Sequence, residues 1–99
     1  MSEKSENFDV DVGERAAHIR HLFSLNQSEI AKKLKITRQT LANYETGKTP
    51  MRASVIRQLC DIYHCPSDWL LGITNHLEIY RTIDGRQIKL NEISPSIRI

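Results

Sequence analysis

Residues 26–47, NQSEIAKKLKITRQTLANYETG, leave this chain little choice of fold. Within 27–34, Ile30, Ala31 and Leu34 fall at the spacing of one face of an amphipathic helix. Lys35-Ile36-Thr37 then breaks the pattern. Thr37 is a good N-cap, because its hydroxyl can accept from one of the free N–H groups that open the next helix. That helix, over 38–45, turns Leu41 and Tyr44 inward and leaves Arg38, Gln39, Ala42 and Asn43 on the outer face. Gly47 suits the left-handed conformation that ends a helix. The spacing therefore predicts two short helices joined by a tight turn, the second with a polar outer row.

That outer row has a definite chemistry. Arginine pairs bidentately with guanine O6 and N7, and glutamine or asparagine with adenine N6 and N7, all on edges presented in a major groove. The charge distribution agrees. The whole chain carries a net charge of only +2, but between residues 32 and 52 Lys32, Lys33, Lys35, Arg38, Lys48 and Arg52 face Glu45 alone. A charge run by itself usually means an ordinary solvated surface. One that surrounds a pair of helices of this kind is the electrostatic footprint of a phosphate-binding face.

At these residues the chain resembles the helix-turn-helix of the Cro/CI class, the lambda repressor-like or XRE family. The likeness rests on Leu25-Asn26-Gln27 opening the first helix, Ile30-Ala31 inside it, Ile36 in the turn, and Glu45-x-Gly47-Lys48 closing the second. It continues through Leu59 and Ile62 to Asp68-Trp69-Leu70-Leu71. It spans roughly residues 13–72. The resemblance implies a mainly α fold with a five-helix DNA-binding domain, in which the second helix of the pair enters the major groove. It implies base reading by Arg38, Gln39 and Asn43, and contacts to the DNA backbone or a thymine methyl by Gln27, Thr37, Thr40, Lys48 and Arg52. It also implies a structural ion pair between Arg20 and Glu45, with an exposed Arg20 as the alternative. Two departures limit the transfer. Ala42 stands where some relatives carry a polar residue, and the loop around Pro50 is one residue longer than in the phage repressors.

The flanks read differently. Residues 1–12 set Lys4 against Glu3, Glu6, Asp9 and Asp11, with few large apolar groups, and are expected to be a flexible acidic arm. Residues 13–24 form a helix with Ala16, Ile19, Leu22 and Phe23 as its stripe. Residues 52–63 form another, with Val55, Ile56, Leu59, Ile62 and Tyr63 at helical spacing. His64-Cys65 ends it, and Pro66 opens a last short helix closed by Gly72. Trp69 reads as core before it reads as a ligand platform.

Past Asn75 the period becomes two. Leu77, Ile79, Arg81 and Ile83 alternate with polar residues, and Asp84-Gly85 separates them from Ile88 and Leu90, a β-hairpin signal. The domains are thus an arm at 1–12, the helix-turn-helix domain at 13–75, and a hairpin and tail at 76–99. A lone hairpin is marginal in water. Its apolar residues either fold back near Trp69 or meet a second copy. Trp69, Leu71, Leu77, Ile79, Ile83 and Ile88 are the expected dimer or partner contacts. The function expected is a bacterial or phage transcriptional regulator, a repressor binding a palindromic operator as a homodimer. The alternative is an antitoxin or other interaction module whose tail grips a protein partner.

Several classes are disfavoured. Hydrophobic residues make up 39% of the chain, and no apolar run approaches the ~20 residues of a spanning helix, so no membrane partner is expected. The acidic start has no secretory h-region, and two cysteines argue for a reducing compartment, hence a cytoplasmic, nucleoid-associated protein. His18, His21, His64, His76, Cys60 and Cys65 do not make a zinc set, since no second pair at ligand spacing exists. No phosphate loop or nucleophile elbow appears. The chain is expected to be no enzyme, with no cofactor and no metal.

Overall fold

In the computed structural model the two helices within residues 27–46 begin and end where their free backbone groups find local partners. The structure describes the backbone of residues 2–77, 80–83 and 86–89, and the side chains of residues 8–77. Among the described residues the order is α1 (Ser2–Leu22), α2 (Gln27–Leu34), α3 (Arg38–Thr46), α4 (Ala53–Tyr63), α5 (Ser67–Leu70), β1 (Tyr80–Ile83) and β2 (Arg86–Lys89).

Asn26 and Glu29 open α2 with a reciprocal capping box. The Glu29 N–H donates to Asn26 Oδ1 at 2.9 Å, and the Asn26 N–H to Glu29 Oε1 at 2.8 Å. Lys35 closes α2 in the left-handed conformation, φ 60°. Thr37 caps α3 as expected, its hydroxyl accepting from the Thr40 N–H at 3.0 Å. Gly47 ends α3 at φ 79°. His64, also left-handed, ends α4.

The five helices wrap one core. α1 packs on α3, α3 on α2, and α5 against both α4 and α1. Ile19, Ile30, Leu41, Leu59, Tyr63, Trp69, Leu70 and Leu77 are its fully buried centre, with Leu22, Phe23, Ile56 and Ile62 half-buried around them. Burying side chains of this kind is worth roughly 1.5–3 kcal/mol each before chain entropy is counted. It holds α2 and α3 in one fixed relation.

Two expectations are corrected. The first concerns residues 1–12, expected to be an arm. α1 runs from Ser2, not from Gly13. The reason is packing that the charged composition hid. Val12 is buried, and Val10 lies over the end of α3. Gly13 is a contact point rather than a helix start. A Cβ there would sit 2.4 Å from the Tyr44 carbonyl oxygen and 2.6 Å from that of Glu45. Glycine therefore lets α1 cross α3 at close range. Gly47 does the same from the other side, where a Cβ would stand 2.7 Å from the Val10 Cα. The second concerns Trp69 and Leu77, named as dimer or partner contacts. Each is only 1% exposed and belongs to the core of the single chain. The apolar run past Asn75 thus begins by folding back onto the helices.

β1 and β2 pair antiparallel, with Tyr80 opposite Lys89 and Ile83 opposite Arg86. Residues 78–79, 84–85 and 90–99 lie outside the described residues, and with them the Asp84-Gly85 turn of the expected hairpin. No helix among the described residues is long and apolar enough to cross a membrane.

Candidate nucleic-acid interface

The inner side of α3 is tied to the core by charge. Glu45 is 7% exposed, and so is Arg20 on α1. The Arg20 Nε donates to Glu45 Oε2 at 2.8 Å and its Nη2 to Oε1 at 2.9 Å, the bidentate fork that a buried guanidinium needs. Nη1 donates to the Leu25 carbonyl at 2.9 Å, which holds the entry to α2. The hydrogen bond to Glu45 raises the Arg20 pKa above its ordinary value, against the opposing effect of burial.

From this pair a line of hydrogen bonds runs outward. Gln27 Nε2 donates to Glu45 Oε1 at 2.9 Å, and Gln27 Oε1 accepts from Arg38 Nη1 at 3.0 Å. The chain Arg20–Glu45–Gln27–Arg38 therefore leads from a buried charge to the first residue of the exposed row. Gln27 was expected to touch DNA backbone. In the structure it forms this bridge, which the one-dimensional spacing of residues 20, 27, 38 and 45 does not reveal.

The outer side of α3 is open. Arg38 and Gln39 are exposed and Asn43 is half-exposed. Gln39 Nε2 donates to Asn43 Oδ1 at 3.1 Å, so two of the three expected base readers stand together one turn apart. Thr37 and Thr40 share a hydroxyl–hydroxyl bond of 2.8 Å at the helix start. Lys48 and Arg52 are exposed on the loop after α3.

An open cleft of about 360 Å³ separates Leu34, Ile36, Thr40 and Tyr44 from Arg52, Ser54, Val55 and Gln58. At its edge Arg52 occupies the N-cap of α4 and makes no side-chain cap there. The first turn of α4 thus has no side-chain cap and follows directly on Arg52, with Lys48 exposed earlier on the same loop, a setting suited to phosphate oxygens.

The structure therefore brings Arg38, Gln39, Asn43, Gln27, Thr37, Thr40, Lys48 and Arg52 to α3 and its two flanks. Leu71 lies elsewhere, half-buried after α5. Ile79, Ile83 and Ile88 have side chains outside the described residues. No group of three or more His, Cys, Asp or Glu that could hold a metal occurs among the described residues.

Two stacked short helices, one bolted inward and polar outward, with a basic loop beside it, define a helix-turn-helix DNA-binding domain. The chain belongs to the helix-turn-helix domain family, whose model matches residues 11–70. That span runs from within α1 to the end of α5, and the assignment is consistent with the Cro/CI or XRE type. No curated protein matches the chain. No solved structure matches it either.

Proposed function

We propose that this protein is a sequence-specific regulator of transcription, a repressor that binds a palindromic operator as a homodimer. The observation that carries the reading is the two-sidedness of α3. Its inner side is fixed by Leu41, Tyr44 and the Arg20–Glu45 pair, while Arg38, Gln39 and Asn43 are presented outward. A rigid helix with donors and acceptors on its free side can hold register in a groove, and register is what sequence reading requires. In this reading Arg38 takes a guanine, and Gln39 with Asn43 takes an adenine. Gln27, Thr37, Thr40, Lys48 and Arg52 hold the backbone or a methyl group.

One α3 spans only a few base pairs, so a second copy supplies the other half-site. The contact is formed by the hairpin made of β1 and β2, whose strand edges are available to extend a sheet across a two-fold. Trp69 and Leu77 take no part in it, being core. A protein partner at the same element is the alternative to a second copy. A DNA-binding role of this kind places the protein in the cytoplasm, where it works without catalysis.

The test is selection of duplexes from a random pool by the purified protein. The expected result is a symmetric consensus with half-sites about one helical turn apart. Gln39→Ala should lose about 1–3 kcal/mol of discrimination at one position per half-site. A consensus unchanged by Gln39→Ala would place base reading elsewhere. Removing residues 80–99, which spares the core residue Leu77, should leave a folded monomer with single-half-site binding. Equal sedimentation of the truncated and full chains would refute the strand-mediated dimer.

A further inference from the structure

Cys60 and Cys65 lie at the corner between α4 and α5, away from α3. Their positions are those of a helix-ending motif. His64 takes the left-handed conformation at φ 55°, and the Cys65 N–H reaches back to the Cys60 carbonyl at 3.1 Å. In that motif the residue after the left-handed one and the residue five before it place their side chains against each other, usually as an apolar contact. Here both are cysteines, and both are free thiols. The backbone bond from Cys65 to Cys60 closes the turn and sets the two side chains on the same side of it, one at the end of α4 and one just past it.

We propose that Cys60 and Cys65 form a reversible intramolecular disulfide across the C-terminus of α4, with a small-molecule disulfide such as oxidised glutathione as the oxidant. The two residues are unequal in a way that orders the steps. Cys60 is half-exposed, whereas Cys65 is 6% exposed and packed in the core. Cys60 therefore meets the oxidant. Its thiolate attacks one sulfur of oxidised glutathione, the sulfur–sulfur bond breaks, and one glutathione thiolate leaves. Cys65 then gives up its proton to solvent, and its sulfur attacks the Cys60 sulfur of the mixed disulfide and expels the second glutathione thiolate. Two protein thiols are oxidised, and one glutathione disulfide is reduced to two thiols that take up the released protons. The buried partner lies beside the attacked sulfur, so ring closure outruns capture by a second molecule.

Burial pushes the Cys60 thiol up, against an opposing effect of the neighbouring Cys65 thiol. Burial, with the neighbouring Cys60, pushes Cys65 up to about 12. Exchange is accordingly slow at neutral pH and faster on the alkaline side. Once closed, the bond ties the left-handed His64 turn to both of its flanks and reduces the freedom of the unfolded chain.

The experiment incubates the native full-length protein with oxidised glutathione at mildly alkaline pH and reads intact mass and thermal melting. The expected product is a monomer lighter by two hydrogens, melting higher than the reduced protein and restored by a thiol reductant. Cys65→Ser should stop at the mixed disulfide on Cys60, heavier by one glutathionyl group. A wild-type product that keeps the glutathionyl group, a covalent dimer through Cys60, or a chain left unreacted would each overturn the proposal.

Discussion

α1 carries two buried arginines that solve the same problem in different ways. Arg20 meets a carboxylate, with Glu45 as its bidentate partner on α3. Arg15, 1% exposed, meets mainly neutral oxygens on the other flank of the helix, about 140° around the axis. Its Nη1 donates to the carbonyls of Trp69 at 2.9 Å and Thr74 at 3.2 Å, its Nη2 to Asn75 Oδ1 at 2.7 Å, and its Nε to Asp11 Oδ1 at 3.0 Å. The guanidinium also lies 5.1 Å from the centre of the Trp69 ring, close enough for cation–π attraction. The difference separates two jobs. The charged pair fixes the helix that faces DNA. The carbonyl-bound arginine collects the loose oxygens after α5 and ties the chain's return onto α1.

The largest effect should come from breaking the charged corner. Arg20→Ala leaves Glu45 buried with Gln27 as its one remaining side-chain donor among the described residues, at a cost of about 3–5 kcal/mol, measured as the shift in a urea unfolding midpoint. Arg20→Met combined with Glu45→Leu should recover much of that loss. A single variant as stable as wild type would show that the pair contributes nothing to the fold.

Arg15→Met should cost less, about 1.5–3 kcal/mol, because the buried Trp69 carbonyl keeps the Gly72 N–H as a donor and the oxygens of Thr74 and Asn75 can turn to water. If Arg15→Met proved more damaging than Arg20→Ala, the ranking of the two corners would be reversed. Arg15→Lys should rescue only part of the loss, since an ammonium cannot serve several separated oxygens in one plane.

Gly13→Ala probes the crossing that lets Arg20 reach α3. The methyl would collide with backbone, costing about 1–3 kcal/mol, of which helix propensity returns about 1. Amide exchange should quicken at the α3 end more than in α4. Equal changes in both helices would mean that the crossing is not local.

The smallest effect belongs to His18, beside the Arg15 corner, with its ring 6.3 Å from that of Trp69 and its buried Nε2 without a hydrogen-bond partner among the described residues. Burial, then the charges of His21 and Arg15, holds its pKa below the ordinary 6.5. The unfolded chain therefore takes the proton first as pH falls. Stability present in full above about pH 6.5 is lost on the way down to the lower folded value. His18→Gln should flatten that acid-side slope slightly. An unaltered slope would assign the acid sensitivity to other groups.

The two corners were unequally legible in the sequence. Thr37, Gly47 and the apolar spacing in 27–45 mark α2 and α3 because caps and periodicity are local signals. Arg20 with Glu45 follows only from the family resemblance, and the geometry agrees with it. Arg15 gave little signal, since two of its four partners are backbone carbonyls that every residue carries and a third, Asn75, lies 60 residues away. The start of α1 was misread for a different reason. Val12, Arg15, Ala16, Ile19, Arg20 and Phe23 fall on a helical stripe, but two of its members are arginines and glycine follows the first. Counting an arginine as able to occupy the inner face would have extended the helix. The Asp11–Arg15 spacing of one turn points the same way.

Gln27 sits between unlike charges, its carbonyl oxygen facing Arg38 and its amide nitrogen facing Glu45. That polarity constrains how this lineage can diverge. A glutamate at position 27 would suit Arg38 but set a second carboxylate against Glu45. A lysine would suit Glu45 but repel Arg38. Only a neutral side chain that donates at one end and accepts at the other serves both, so position 27 has little room to drift. Arg38 has one such tie and a free outer side. Operator preference can therefore change through positions 38, 39 and 43 while the amide behind them stays fixed, and descendants of this chain should differ in what they read sooner than in how the reading helix is held.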